Sequence, residues 1–308
     1  MKIFVTGVTG QLGYDCIREL RRRGHIVIGS GGRAIDDVNP DLFSTDCKVK
    51  SEDYIQLDIT IRSAVMQIIN IIRPDAIIHC AAWTSVDAAE DERNREQVYA
   101  VNAIGTANIA EAAKLVGAKM VYISTDYVFN GQGDRPWQAD DKCYAPLNVY
   151  GQSKLEGELA VSSILEKYFV VRTAWVFGSN GKNFVKTMIH AGKTHDYVRV
   201  VDDQIGTPTY TVDLARLIAD MVETEKYGYY HATNEGGYIS WYDFCCEIYR
   251  QYGLQTKVIP VTTTEYGLNK AARPFNSRLD KHKLVEMGFD PLPTWQDAIM
   301  RYLREENM

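Results

Sequence analysis

The chain lacks the features that mark membrane-embedded, secreted and disulfide-stapled proteins. No apolar stretch approaches the ~18 residues that a membrane-spanning helix needs. The N-terminus runs directly into an apolar strand pattern, so no signal peptide is expected. The 6 cysteines among 308 residues include no Cys-x-x-Cys pair. This scatter predicts reduced, mostly buried thiols and a cytoplasmic protein.

An excess of positive charge is also missing. With 34 Lys and Arg against 40 Asp and Glu, the net charge is −6, so no basic surface is predicted to recruit nucleic acid or an anionic membrane. The 6 histidines show no metal-ligand spacing, and His79, inside an apolar run, is interpreted as a core residue. We therefore expect no nucleic-acid partner, no membrane partner and no required metal.

A glycine-rich turn follows the first apolar run, at residues 2–6. A helical pattern comes directly after it and ends near Arg23. In such a strand–turn–helix unit, glycines allow a tight turn, close approach of the backbone to a pyrophosphate, and close packing of helix on strand. The helix N-terminus then offers unpaired N–H groups to phosphate. The turn residues assigned to cofactor binding are Gly7, Gly10, Gln11, Leu12 and Gly13.

Tyr150 and Lys154 lie four residues apart in the run Tyr-Gly-Gln-Ser-Lys. In a helix these positions share one face. A phenol titrates near pH ~10 in isolation, and a neighbouring ammonium group lowers that pKa. Together with the glycine turn, the pair predicts a proton donor or acceptor that is usable near neutral pH.

Helix and strand signals alternate through the first half of the chain. This alternation predicts an α/β fold with a doubly wound parallel sheet of the Rossmann type, covered on both faces. Further strands are predicted at 25–30, 54–57, 76–80, 119–124 and 169–176, and helices at 60–73, 87–116 and 148–167. The stretch 31–51 has weak structural signal, and a break near 90–95 in the long helix is left open.

The second half is less regular, and it predicts a smaller α+β substrate lobe. Helices are predicted at 211–224, 240–252 and 295–304, and strands at 227–232 and 257–261. We expect this lobe to close over the carboxyl ends of the parallel strands, where ligands of open α/β sheets bind. The predicted dinucleotide-binding domain is 1–167, with segments near 168–176 and 211–232 returning to it, and 177–308 forms mainly the substrate lobe.

Taken together, several stretches resemble the dTDP-4-dehydrorhamnose reductase family, from Met1 to about Arg304. The three-and-three glycine spacing and the Tyr-x-x-x-Lys pair are typical of the short-chain dehydrogenase/reductase superfamily to which that family belongs, and the length of 308 residues suggests its extended branch. The narrower similarity lies in residues 124–129 (STDYVF), 146–151 (PLNVYG), 172–178 (RTAWVFG), 203–209 (DQIGTPT) and 273–277 (RPFNS).

The resemblance implies hydride transfer from NAD(P)H to C4 of dTDP-4-dehydro-L-rhamnose. The product would be dTDP-L-rhamnose, for cell-surface polysaccharide. The implied catalytic residues are Thr125, Tyr150 and Lys154. Tyr150 acts as general acid, Thr125 assists it from the carboxyl end of a strand, and Lys154 also binds the nicotinamide ribose.

The end of the second strand bears on the choice between NADPH and NADH. A carboxylate there binds the ribose 2′-OH and favours NADH. Here no acid occurs before Asp36, while Ser30 and Arg33 suit a 2′-phosphate. NADPH is therefore favoured, and NADH is not excluded. The resemblance adds contacts beside the adenine and under the pyrophosphate and ribose, at Asp58, Ile59, Ala81, Ala82 and Trp83.

The resemblance also implies the substrate contacts. They are Thr84, Val86, Asp126, Tyr127, Trp175 and Arg273. Arg273, Lys182 and Lys186 are candidates for holding the diphosphate. Some relatives form homodimers, and in some a Mg²⁺ bridges carboxylates near the N-terminal helix. Asp15 and Glu19 lie there, but we interpret them as surface charges.

Two other functions stay open. A nucleotide-sugar 4-epimerase uses the same Tyr and Lys without net reduction, and a non-catalytic regulatory subunit binds NADP(H) without turnover. Elimination chemistry is disfavoured, because a 4,6-dehydratase carries Thr-Asp-Glu where this chain has Thr125, Asp126 and Tyr127.

Overall fold

A seven-stranded parallel sheet forms the centre of the protein. The computed structural model describes residues 1–38 and 53–306, so most of the weakly patterned stretch 31–51 lies outside the described residues. The strands of this sheet are β1 (Lys2–Thr6), β2 (Ile26–Gly31), β3 (Tyr54–Gln56), β4 (Ala76–His79), β5 (Lys119–Thr125), β6 (Tyr168–Thr173) and β11 (Gly228–His231). Their spatial order is β11-β6-β5-β4-β1-β2-β3, and every neighbouring pair is parallel.

Helices cover both faces of this sheet. They are α1 (Gln11–Arg22), α2 (Arg62–Ile72), α3 (Val86–Ala89), α4 (Glu92–Tyr99), α5 (Thr106–Val116), α6 (Val149–Ile164) and α8 (Thr211–Val222). Side chains alternate across β1, so Ile3 and Val5 pack on the α1 and α8 face while Phe4 packs on the opposite face with Ile109 of α5. The predicted doubly wound fold is therefore confirmed.

The smaller lobe is built from short strands and most of the remaining helices. The strands are β7 (Val176–Phe177), β8 (Tyr197–Val201), β9 (Ile205–Gly206), β10 (Thr209–Tyr210), β12 (Ile239–Ser240) and β13 (Lys257–Val261). The helices are α7 (Phe184–Thr194), α9 (Trp241–Tyr252), α10 (Thr263–Tyr266) and α12 (Trp295–Glu305). Helix α11 (His282–Glu286) instead packs against β11, with Leu284 in the apolar core of the central sheet. Side chains of α7, α9 and α12 form a separate apolar core, which gives this lobe its own hydrophobic centre.

Two predicted elements are longer than the observed ones. The helix at 87–116 is broken between α3 and α4, at the residues left open, and a π-helical turn at Ala100–Gly105 then joins α4 to α5. The strand predicted at 169–176 ends at Thr173, because Trp175 takes a left-handed backbone conformation with φ of 50°. The chain leaves the sheet at this point. Helix α7 and strand β8 were not predicted.

Asp15 and Glu19 are not the solvated pair that the sequence suggested. Asp15 is 2% exposed, accepts a hydrogen bond from the Thr211 hydroxyl of α8, and has its pKa raised to about 6 by burial. Glu19 pairs with Arg22 and Arg23. The interpretation as surface charges is wrong for Asp15, because α8 packs directly over this face of α1. Among the residues described, no cluster of three or more potential metal ligands is present.

The structure also bears on the expectations about membrane-spanning helices, His79 and the cysteines, with different outcomes. Within the described ranges, no helix is both long enough and apolar enough to span a bilayer. His79 is buried, as predicted, and its ring nitrogens contact the hydroxyls of Thr6 and Thr106. The described cysteines are free, but Cys143 is exposed, so the thiols are not uniformly buried.

Candidate active site

A cleft of about 1030 Å³ opens at the carboxyl ends of the parallel strands. It is lined by the ends of β1, β2, β4 and β5, by the start of α6, and by residues of the smaller lobe. Every residue that the sequence assigned to catalysis, cofactor or substrate lines this cleft except Trp83 and the diphosphate candidate Lys186. Among the lining residues are Gly7, Gly10, Gln11, Leu12, Gly13, Ser30, Arg33, Asp58, Ile59, Ala81, Ala82, Thr84, Val86, Thr125, Asp126, Tyr127, Tyr150, Lys154, Trp175 and Arg273.

The glycine turn leaves no room for side chains. Gly7 has φ of 70°, and a Cβ there would lie 2.6 Å from the backbone nitrogen of Ala81. A Cβ on Gly13 would lie 2.4 Å from the carbonyl oxygen of Gly7. The turn is closed by Gly10, whose N–H donates to that same carbonyl over 2.9 Å. The backbone and the start of α1 therefore form a bare cradle of the kind that receives a pyrophosphate.

The end of β2 carries polar groups but no carboxylate. Ser30 is 1% exposed, and its Oγ has no hydrogen-bond partner among the described residues. A buried hydroxyl without a partner is costly, and a ligand oxygen beside it would remove the cost. Arg33 is exposed and lines the same end of the cleft. These two side chains fit a phosphorylated ribose.

The loop after β4 is fixed by backbone contacts. Ala81 donates its N–H to the hydroxyl of Thr6 over 3.1 Å. Trp83 donates its backbone N–H to Asn102 Oδ1 over 2.8 Å and its indole N–H to the carbonyl of Ser85 over 3.1 Å. Trp83 thus takes part in holding the loop, while Ala81 and Ala82 line the cleft.

Thr125 is the last residue of β5, as predicted. Its hydroxyl donates to Asp126 Oδ1 over 3.1 Å and accepts from the backbone N–H of Tyr127 over 3.3 Å. Asp126 also accepts a hydrogen bond from the hydroxyl of Ser277 in the smaller lobe. Burial raises the pKa of Asp126 to about 6. The turn after β5 is therefore tied to both lobes.

Tyr150 and Lys154 lie in the first two turns of α6. The helix starts there because Asn148 Oδ1 accepts from the N–H of Gly151 over 2.7 Å, a side-chain N-cap. Burial raises the pKa of Tyr150 to about 12 and lowers that of Lys154 to about 7. The expectation of a lowered phenol pKa is wrong in this structure. The Lys154 ammonium donates to the carbonyl of Ile123, and burial of the phenol outweighs its hydrogen bond with Thr125.

Three aromatic side chains pack together in the lining of the cleft. The rings of Trp175 and Trp241 stack with centres 3.7 Å apart, and Phe184 packs on Trp241 at 4.6 Å. Sequence reasoning missed Trp241 and Phe184 as cleft residues. The only signal for Trp241 was the capped helix start at 240–243, which predicts a helix and says nothing about which cavity it borders.

The three basic residues considered for binding a diphosphate differ in whether they border the cleft. Arg273 lines the cleft and pairs with Asp87 over 2.7 Å. Lys182 is exposed and also lines it. Lys186 instead pairs with Glu306 over 2.9 Å and donates to the carbonyl of Ser179. Among the three, Arg273 and Lys182 are the ones that border the cleft.

Comparisons with known proteins agree with this geometry. The family described as RmlD substrate binding domain matches residues 1–308. The spore coat polysaccharide biosynthesis protein SpsK of Bacillus subtilis is 37% identical over 306 residues, covering 99% of this chain and 98% of that protein. The dTDP-4-dehydrorhamnose reductase of Shigella flexneri is 37% identical over 316 residues, covering 99% of this chain and 98% of that enzyme.

A solved structure gives the same result. The dTDP-4-dehydrorhamnose reductase of Bacillus anthracis, solved in complex with NADP, is 40% identical and superposes with a TM-score of 0.86, with 99% of each chain covered. A match at this level over the full length shows common family as well as common fold. The chain therefore belongs to the dTDP-4-dehydrorhamnose reductase family, the family that its sequence motifs resemble.

Proposed function

We propose that the protein reduces C4 of dTDP-4-dehydro-L-rhamnose with NADPH or NADH, giving dTDP-L-rhamnose. The observation that carries this proposal is a single cleft in which the glycine cradle and the residues Thr125, Tyr150 and Lys154 all take part. This arrangement supports a reductase, because the residues proposed for dinucleotide binding and those proposed for proton transfer border the same cleft in a chain of this family.

The cofactor would be held by the residues at the ends of β1, β2 and β4. The cradle at Gly7, Gly10 and Gly13 would receive the pyrophosphate, and Gly7 and Gly13 have no space for a side chain. Ser30 and Arg33 would bind a ribose 2′-phosphate, which favours NADPH over NADH. When bound, the reduced nicotinamide supplies the hydride for C4.

Tyr150 is the proposed proton donor to the sugar O4. Its raised pKa, about 12, keeps the phenol protonated throughout the neutral range. A general acid for reduction must begin protonated, and an alkoxide is a far stronger base than a phenolate, so proton transfer to it stays favourable. The raised pKa therefore suits the reductive direction.

Thr125 and Lys154 are the proposed assistants. The Thr125 hydroxyl is fixed by Asp126 and Tyr127 and stands at the end of β5. We assign it a hydrogen bond to the reacting oxygen. Lys154, when protonated, would bind the nicotinamide ribose and stabilise the phenolate that forms on Tyr150.

The remaining parts of the proposal concern the substrate and the domains. Trp175 and Arg273, with Thr84, Val86, Asp126 and Tyr127, would contact the nucleotide sugar. We propose that residues 1–167, with 168–176 and 211–232 returning, form the dinucleotide-binding domain; β6 and β11 in the central sheet support this. The residues 177–308 would form mainly the substrate lobe. We place the reaction in the cytoplasm and in polysaccharide biosynthesis, and we retain a homodimer as an expectation.

Absorbance of the reduced nicotinamide, followed with dTDP-4-dehydro-L-rhamnose, tests the proposal. Substrate-dependent oxidation of NADPH, faster than that of NADH, is the expected result. Interconversion of nucleotide sugars at C4 without net oxidation would identify an epimerase instead. Stoichiometric NADP(H) binding with no turnover of any 4-keto nucleotide sugar would support a regulatory subunit.

A further inference from the structure

Asp87, at the start of α3, holds the guanidinium of Arg273. Nη1 of Arg273 donates to Oδ1 of Asp87 over 3.1 Å, and Nη2 donates to Oδ2 over 2.7 Å. Such a two-pronged pair of planar groups fixes the orientation of a guanidinium as well as its position. Sequence reasoning assigned no role to Asp87.

The same carboxylate also binds the backbone that leads to Arg273. Oδ1 of Asp87 accepts from the N–H groups of Lys270 and Ala271, both over 3.0 Å. The next carbonyl, of Ala272, accepts from Nδ2 of Asn148 over 2.8 Å. Because Asn148 caps the helix that carries Tyr150, the segment 270–273, here called the strap, connects α3 to the start of α6.

The pairing leaves part of the guanidinium available. An arginine has five N–H donors. Two of those on Arg273 bind Asp87, and one more, on Nη1, donates to the carbonyl of Ala271 over 3.4 Å. Among the residues that the structure describes, the Nε–H and the second Nη2 hydrogen have no acceptor, and the side chain is 20% exposed while it lines the cleft. Asp87 can therefore orient Arg273 while two N–H donors of the guanidinium stay available to a ligand.

We propose that Asp87 is a positioning residue, which holds Arg273 and the strap so that the remaining guanidinium donors face the diphosphate of a nucleotide ligand. The inference rests on the proposed function, which supplies the diphosphate. Asp87 is 42% exposed, and partly exposed ion pairs contribute little to folding stability. The four hydrogen bonds that converge on its carboxylate therefore serve placement of the strap more than stability of the fold.

The test is binding of dTDP, measured by calorimetry without turnover, together with the steady-state kinetics of reduction. Asp87→Asn is expected to weaken dTDP binding and to raise KM for the nucleotide sugar by about tenfold, because a charge-assisted pair is lost. The value of kcat should change by less than about twofold and NADPH binding should not change. Asp91→Asn, which removes a nearby carboxylate paired with Arg93 outside the cleft, is the matched control and should match wild type.

A double-mutant cycle separates positioning from other roles. In an Arg273→Ala background, Asp87→Asn is expected to change dTDP binding by less than about twofold, since its effect passes through Arg273. Equal losses in both backgrounds would overturn the inference. So would unchanged or tighter dTDP binding by Asp87→Asn alone, the latter showing that Asp87 competes with the ligand for Arg273.

The two proposals fail in different ways. Wild-type protein that binds dTDP with the expected coupling but reduces no keto sugar would overturn the proposed function alone. Reduction of the sugar with dTDP binding insensitive to Asp87→Asn would overturn the positioning role alone. Absence of dTDP binding by wild type would overturn both.

Discussion

Lys154 donates from Nζ to the carbonyl oxygen of Ile123 over 2.7 Å, and the ammonium lies 4.1 Å from the centre of the Tyr122 ring. The lysine proposed for catalysis is thus anchored to β5, the strand that ends in Thr125. Because burial lowers its pKa to about 7, its charge changes close to neutral pH. The positive charge available to the site is therefore a function of pH.

We predict that kcat/KM for reduction falls as the pH rises through about 7. Lys154 is protonated below its pKa of about 7 and neutral above it, so the assisting charge is lost on the alkaline side. Tyr150, with a pKa near 12, remains protonated over the same range and adds no second limb. Initial rates at low substrate concentration between pH 5.5 and pH 9 measure the profile.

The control for this profile is Lys154→Arg. A guanidinium keeps its charge over the whole range, so whatever activity the variant retains should lose the limb near neutrality. A wild-type profile that stays flat to pH 9 would refute the assignment of this limb to Lys154.

Removal of the Tyr150 hydroxyl is predicted to abolish most turnover. Tyr150→Phe should lower kcat by roughly 10²- to 10⁴-fold, the usual contribution of a placed general acid. NADPH affinity, measured by fluorescence titration, should stay near wild type. Turnover that persists in the variant would mean that another group donates the proton.

Variants of Thr125 are predicted to lose less activity than Tyr150→Phe. Thr125→Ala removes one hydrogen bond and not the proton source, so its loss in kcat should be smaller than that of Tyr150→Phe. Thr125→Ser keeps the hydroxyl and should recover most of the activity. If serine and alanine are equally impaired, the methyl group of Thr125, and not its hydroxyl, is what the site needs.

The fold was accessible from the sequence because its signals are local. A strand, a glycine turn and a helix must be contiguous, and the period of apolar residues identifies each element. The end of β5 at Thr125 and the N-cap of α6 at Asn148 follow from such local patterns. These patterns gave the position of the cleft residues near them, and the family resemblance supplied their expected roles.

The contacts between distant segments were not accessible in this way. Asp87 meets Arg273 across 186 positions, and Trp241, at the start of α9, stacks on Trp175, which follows β6. The pKa of Tyr150 was predicted in the wrong direction, because spacing on a helix reveals the neighbouring lysine but not the burial of the phenol. Burial is a property of the whole fold.

Arg33 is predicted to determine the preference for NADPH. Arg33→Ala should raise KM for NADPH by about 10- to 100-fold, the loss expected for a charge-assisted hydrogen bond, and should leave KM for NADH within about twofold. The measurement is KM for each cofactor at saturating sugar. Arg95→Ala, on the exposed face of α4, is the control and should change neither. Equal changes for both cofactors would show that Arg33 does not bind the 2′-phosphate.

The buried carboxylate of Asp15 is predicted to lower the free energy of unfolding at neutral pH. Burial between α1 and α8 raises its pKa from 3.8 to about 6, although Thr211 and Arg18 oppose the shift. The folded state therefore binds the proton more tightly than the unfolded state. The stability that this gives is fully present below pH 3.8 and is lost as the pH rises through about 6.

Asp15→Asn should therefore raise Tm by about 1.5 °C at pH 7.5, the shift that corresponds to about 1 kcal/mol in a chain of 308 residues, and the gain should shrink toward zero near pH 4. Asparagine keeps a carbonyl oxygen for the Thr211 hydroxyl, so the hydrogen bond across the two helices survives while the buried charge disappears. Asp220→Asn, which removes a more exposed partner of Arg23 at the same helix pair, should not stabilise at either pH. Calorimetric melts of wild type and variant at both pH values measure the change in Tm. If the variant gains less Tm over wild type at pH 7.5 than at pH 4, the predicted pH dependence of the Asp15 effect is wrong.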